Sequence, residues 1–326
     1  MRRIWVTFFP VVLLAAAVVM GAQAAASNTT LSLVAYSTPK DAYGKIIPAF
    51  QATSAGKSVS FNQSYGASGD QAQAVLNGLH ADAVAFSLEP DMTRLVKARL
   101  VAKSWKATAT KGIVTRSVVV FVLRNGNPKH IRDWEDLVKP GVQVVTPNPF
   151  TSGGAKWNVM AAYGAMRRNG KTDKQAIAYL GKLFHHVVSQ DKSARDALNT
   201  FLSGRGDVML AYENEAILAQ QKHQPVYYLI PKATIRIENP VAVTTNAKDP
   251  KAARAFVRYL TSPAAQTIFA RNGYRPVLRS VIRKFNFPVR PWLFTIRKLG
   301  GWSKVDKRFF DPKHSVMATI EAGLGK

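Results

Sequence analysis

Thr146-Pro147-Asn148-Pro149-Phe150-Thr151-Ser152-Gly153-Gly154-Ala155-Lys156-Trp157-Asn158 compresses a strand end, a stiff turn and a helix start into thirteen residues. The stretch before it, Val142 to Val145, is short and β-branched, the two prolines keep the chain out of helix until Thr151, and Ala155 onward is helix-forming. The spacing therefore places Ser152-Gly153-Gly154 at a helix N-terminus. The first N–H groups of a helix have no intrahelical partner, the macrodipole there is positive, and glycine lets a ligand approach bare backbone. Two readings fit this stretch alone: an ordinary helix with Ser152 as N-cap, or a cradle for an anion.

The pattern recurs. Leu31 to Ala35 reads as a strand followed by Ser37-Thr38-Pro39, with Thr38 expected as N-cap, Pro39 at the first helical position and Asp41 in the first turn. Val59 to Gln63 is a strand followed by Ser68-Gly69 and a helix from Gln71 to Leu79. Val187-Val188 precedes Ser193-Ala194, where Ser193 caps and the Ala194 N–H is left free. In parallel α/β sheets such turns gather at the carboxyl ends of the strands, where ligands bind. Four of them facing one another make a cage of donors; as plain caps they only stabilise helices. Spacing alone leaves both readings open.

Outward from these turns, Ala83 to Phe86 and the helix Pro90 to Arg99 complete an alternation of strand and helix that predicts a parallel-rich α/β sheet. Val114 to Arg124 reads as a long strand leaving a first lobe, and Ile235 to Thr244 as the extended return. Between them, Asp207 to Tyr212 is a buried strand ahead of the helix Glu213 to Gln221. Ala252 to Leu260 and Pro263 to Ala270 are expected helices, and Trp292 to Ile296 an apolar anchor. The division expected is two lobes, 27–115 with 240–326 and 116–239, behind a leader at 1–26 whose basic start, apolar run and small residues read as a signal peptide.

At 326 residues, 47% hydrophobic and without cysteine, the chain buries a large core and needs no disulfide. Its formal charge is +26, or +24 without Arg2 and Arg3 (26 − 2), spread along the chain with no nucleic-acid-binding motif, so no nucleic-acid partner is expected; the charge either steers small anions or reflects an acidic environment, and the sequence leaves both readings open. The six histidines lack metal-ligand spacing, and no nucleophile elbow, phosphate loop or dinucleotide fingerprint is present. Glu213-Asn214-Glu215 fits first-turn acids complementing a helix dipole better than an acid/base pair. The expectation is a binding protein, with no enzyme activity, cofactor or metal.

Taken together, Gln63-Ser64-Tyr65-Gly66-Ala67-Ser68-Gly69, Thr146-Pro147-Asn148-Pro149, Ser152-Gly153-Gly154-Ala155-Lys156-Trp157-Asn158, Ala211-Tyr212-Glu213-Asn214-Glu215-Ala216 and Tyr274-Arg275-Pro276 resemble the periplasmic sulfate-binding proteins of bacterial ABC importers. The resemblance runs from about Leu31 past Trp302. It implies a two-lobed periplasmic binding protein of the type II fold, with parallel-rich sheets flanked by helices and a ligand cleft between the lobes. It implies a monomer in the periplasm that holds dehydrated sulfate or thiosulfate and hands it to a membrane permease. Carried over by residue, it makes Ser68 and Ser152 hydroxyl donors, Ser37, Gly153, Gly154 and Ala194 backbone donors, and Tyr212 a side-chain contact. Better-known members have Asp at Ser37 and Trp at Tyr212. Asp70 is expected to point outward, since a carboxylate beside a buried dianion is strongly disfavoured. The competing expectations are a phosphate-type receptor and a secreted anion hydrolase.

Overall fold

The computed structural model describes residues 28–288 and 292–325, so the expected leader lies outside the described residues. Strand and helix alternate as β1 (Thr29–Tyr36), α1 (Lys40–Gln51), β2 (Val59–Gly66), α2 (Ser68–Leu76), β3 (Ala83–Ala85) and α3 (Glu89–Lys97). The chain then runs through β4 (Ile113–Arg124), β5 (Val144–Pro147), α4 (Gly153–Arg168), α5 (Asp173–His185), β6 (Val187–Asp191), α6 (Ala194–Leu202), β7 (Val208–Tyr212), α7 (Glu213–Gln221) and β8 (Val226–Leu229). It finishes with β9 (Ala233–Val243), α8 (Pro250–Tyr259), α9 (Pro263–Arg271), α10 (Arg279–Ile282), β10 (Trp292–Thr295), α11 (Trp302–Phe310) and α12 (Val316–Gly323).

The strands form one curled sheet in the order β2-β1-β3-β9-β4-β7-β5-β6, with β8 on β4 and β10 on β9. It is mixed. β1 runs parallel to β2 and β3, and β5 parallel to β6 and β7, because helices carry the chain back between them. The long strands β4 and β9 break the parallel rule. They pair antiparallel with each other from Ile113–Pro240 to Val118–Arg236; β9 then continues onto β3, and β4 onto β7. Both belong to two groups of strands at once, and the wings, β2-β1-β3 and β7-β5-β6, sit to either side of them. Val118 to Leu123 of β4 are each at most 1% exposed, which explains why that run reads as continuously apolar.

Apolar residues form separate cores. One gathers β1, β3, α1, α8 and α9 around Tyr43, Phe50, Phe256 and Phe269; the largest surrounds α4 with Trp134, Trp157 and Phe184. α4 is buried from Gly153 through Met166 except at Lys156, and a helix apolar on all sides needs cover on all sides. The C-terminal residues supply part of that cover. Phe294 lies on Gly164, Trp302 meets Trp157 edge-on at 4.7 Å, Phe309 meets Tyr163 at 4.9 Å, and Arg308 pairs with Asp173 at 2.6 Å. The segment from Trp292 thus packs largely on the second wing. Thr38 departs from expectation: Pro39 holds the N-cap position, and the Thr38 hydroxyl is bonded to Tyr274 Oη at 2.8 Å. No helix among the described residues is long and apolar enough to cross a membrane.

Candidate functional site

The ends of β1, β2, β3, β5, β6 and β7 lead into a common small cavity lined by residues 36–38, 67–68, 87, 152–154, 194 and 212. Eleven residues line it, so the occupant is compact, a group of a few heavy atoms. All seven residues singled out from the sequence, Ser37, Ser68, Ser152, Gly153, Gly154, Ala194 and Tyr212, are among the lining residues. Asp70 is not among them; it pairs with Lys192 across the cleft at 3.3 Å.

Local chemistry fixes each turn. After β5 the Asn148 side chain accepts the Phe150 N–H at 2.8 Å and its carbonyl accepts the Ser152 N–H at 2.9 Å, so the chain folds tightly into the α4 start. Ser152 has the extended geometry of an N-cap and is 3% exposed, yet its hydroxyl caps nothing. Ser152, Gly153 and Gly154 all line the cavity, where the first N–H groups of α4 have no intrahelical partner. Ser193 behaves differently: its hydroxyl accepts from Asp196 N and donates to Asp196 Oδ2, leaving Ala194 to bring backbone alone to the cavity wall.

Ser68 is more constrained than the sequence indicates. Its hydroxyl donates to Asp91 Oδ2 at 2.6 Å and accepts the Ser87 N–H at 2.9 Å. Asp91 is 4% exposed, and that burial pushes its pKa up against the pull of Lys156, the Ser68 hydrogen bond and Arg94, while Asp306 adds to the rise. The proton between Asp91 and Ser68 therefore governs whether Ser68 offers a donor to the cavity. Ser87 closes the opposite wall: it shares a 2.6 Å hydrogen bond with Tyr212 Oη, and its carbonyl accepts from Trp157 Nε1 and Asn239 Nδ2, each at 2.9 Å. Burial, then the neighbouring Tyr36, holds Tyr212 far above the ordinary tyrosine pKa, so it stays a neutral phenol.

Among the described residues no charged side chain lines the cavity, and the nearby cations are engaged elsewhere. Arg195 binds both oxygens of the fully buried Glu215 at 2.8 and 2.9 Å, Asp41 at 2.8 Å and the Thr38 carbonyl at 3.1 Å, tying β1's end to α6 and α7. Partial burial opposes ionisation of Asp41, but hydrogen bonds from Arg195 and Lys222 hold its pKa below the usual carboxylate value. Lys156 is held by Asp306 at 2.7 Å. No group of His, Asp or Glu among the described residues is arranged to hold a metal ion. Sequence reading missed Arg195, Asp41 and Asp91, whose partners lie tens of residues away; Ser87 carried a readable signal, a serine between β3 and α3 like those of the other turns.

The arrangement can hold a small, fully ionised anion with neutral donors from both wings. The sequence profile described as "Bacterial extracellular solute-binding protein" matches residues 31–275. A protein of Synechococcus elongatus named "Sulfate-binding protein" is 44% identical over 292 residues, covering 86% of this chain and 83% of that one. A "Thiosulfate-binding protein" of Pseudomonas aeruginosa is 34% identical over 316 residues, covering 93% and 95%. The solved structure of the sulfate-binding protein SubI from Mycobacterium tuberculosis superposes with a TM-score of 0.84 at 46% identity, covering 87% of this chain and all of that one.

Proposed function

Because the chain belongs to the bacterial extracellular solute-binding proteins, we propose that it is a periplasmic receptor that captures sulfate, or its analogue thiosulfate, and presents it to the permease of an ABC importer. The observation that carries this reading is a cavity whose lining is uncharged and rich in donors. A dianion taken from water into such a site needs hydrogen bonds in place of its hydration. Roughly seven bonds to a charged ligand at ~1.5–3 kcal/mol each give ~10–20 kcal/mol, against an association cost of ~4–15 kcal/mol. Micromolar affinity, near −8 kcal/mol, lies within that difference. A counter-cation is not required.

In this reading the site residues are Ser37, Ser68, Ser152, Gly153, Gly154, Ala194 and Tyr212, the wings are the two lobes, and β4 and β9 are the hinge. The receptor works as a monomer and performs no chemistry on its ligand. Closure assembles the cage, since Gly69 N–H reaches the Thr151 carbonyl and Arg195 reaches Asp41 only when the wings meet.

Titrating the purified protein calorimetrically with sulfate, thiosulfate, phosphate and molybdate tests the proposal. Sulfate is fully ionised near neutrality and needs only donors, whereas phosphate keeps a proton that must find an acceptor. An unsatisfied buried polar group costs ~1–3 kcal/mol, so sulfate is expected to bind roughly 5- to 150-fold more tightly than phosphate at both pH 5.5 and pH 8. Phosphate displacing sulfate at comparable concentration would make this a phosphate-type receptor.

A further inference from the structure

Charge is not evenly distributed over the surface. Residues 240–288 carry nine lysines and arginines against one acid, Asp249, whereas 116–239 carry seventeen against ten. Asp249 is already committed: it caps α8 through the Lys251 and Ala252 N–H groups and accepts the Thr29 hydroxyl. Arg275 is bound to the buried Glu213, and the other cations of this segment make no ion pair among the described residues. Lys251, Arg254 and Arg258 stand three and four residues apart, so they share the exposed face of α8 while Ala253 and Phe256 fill the core beneath. A face with cations and no interspersed acid repels itself, and only an external anion relieves it.

Further along the same segment, apolar groups are set among cations. Val281 anchors α10 to the core, which leaves Ile282 outside at 37% exposed between the exposed Arg279 and the pair Arg283-Lys284. Phe285 follows, half-buried, its ring 6.3 Å from that of Phe287. An acidic polymer or a charged protein patch would reward the cations alone. Cations with an isoleucine and a phenylalanine between them match a surface that is anionic outside and apolar just beneath. We propose that the exposed α10 turn docks on an anionic phospholipid bilayer, with Arg279, Arg283 and Lys284 against headgroups and Ile282 and Phe285 at the boundary of the acyl chains. Such docking keeps the receptor diffusing along a membrane instead of through the full volume around it.

The test is cosedimentation of the purified protein with vesicles of phosphatidylcholine alone or with about one-third phosphatidylglycerol, at low and physiological salt. Binding is expected to the anionic vesicles, weakened by salt, and absent with neutral ones. Replacing Arg279, Arg283 and Lys284 together by Gln should weaken it on the order of a hundredfold, and Ile282→Ser with Phe285→Ser roughly tenfold. A charge-matched variant on the other wing, Lys171, Lys174 and Lys182 to Gln, should keep most of the binding. Sulfate titration of each variant reports whether the cleft is intact, independently of lipid. Failure to sediment with anionic vesicles at physiological salt overturns the proposal. So does equal loss in the charge-matched variant, or unchanged binding in the Ile282/Phe285 variant accompanied by equal affinity for soluble polyglutamate.

Discussion

α4 and α5 lie against each other in the same wing and begin in opposite ways. At the start of α5 the Thr172 hydroxyl accepts the Gln175 N–H at 3.2 Å and the Gln175 side chain accepts the Thr172 N–H at 2.8 Å, a closed capping box. At the start of α4, Ser152 is as good a capping residue and caps nothing. The contrast extends beyond the pair, though not to every helix. α8, α9 and α12, which start away from the cavity, are capped by Asp249, Ser262 and Ser315, while α1, α2, α4 and α7, which start at it, have no side-chain cap; α6 starts at it capped by Ser193, and α10 and α11 start elsewhere uncapped. Of the described helix starts at the cavity, α6 alone spends a side chain on its own cap.

The sharpest way to break this comparison is steric. A Cβ on Gly153 would stand 2.5 Å from Ser87 Oγ and 2.6 Å from Leu88 Cδ2, on the opposite wall. Gly153→Ala should therefore wedge the cleft and weaken sulfate binding by about 3 kcal/mol, the upper range for overpacking. The neighbouring Gly154→Ala meets nothing nearer than 3.3 Å and should cost much less. Calorimetry on both variants decides; equal losses would mean that contact across the cleft is irrelevant.

Next come the two capping residues themselves. Ser152→Ala should lower sulfate affinity by ~1.5–3 kcal/mol, the worth of a hydrogen bond to a charged group, with little change in Tm because no cap is lost. Thr172→Ala should do the reverse, costing ~1 kcal/mol of stability and leaving affinity untouched. A destabilised but tight-binding Ser152→Ala protein would show that the α4 start is an ordinary cap after all.

The smallest effect concerns pH. Asp91 has a raised pKa in the folded protein, so its contribution to stability is fully present below the unfolded value of about 3.9 and is lost as pH rises through the folded value. Asp91→Asn should flatten the part of the Tm profile that falls above about pH 4. A profile parallel to that of the unaltered protein would mean that Asp91 titrates normally.

Sequence patterning carried the strand-turn-helix units well, because each is local: a β-branched run, a Ser or Gly turn, a helix former. It could not tell a free serine from a used one. Ser68 and Ser193 look alike in sequence, but the first is held by Asp91, twenty-three residues on, and the second by Asp196, three residues on. Thr38 failed as a cap for the same reason, since Tyr274 competes for its hydroxyl from far along the chain. The antiparallel crossing of β4 and β9 and the packing of 292–325 on α4 were hidden because they are settled by what needs covering, which only the assembled core defines. Local periodicity contains no record of that demand.

Trp157 has a use beyond packing. Its indole N–H donates to the Ser87 carbonyl on the facing wall, and its ring is fully buried edge-on against Trp302. If the wings part, that bond must break and the indole must meet water, whereas Trp134, bonded to the Ala233 carbonyl within the second wing, would be undisturbed. Indole emission shifts to longer wavelength in a polar, relaxing environment. On the proposed closure, Trp157 emission would therefore report the cleft without labels, with Trp134 as the internal reference.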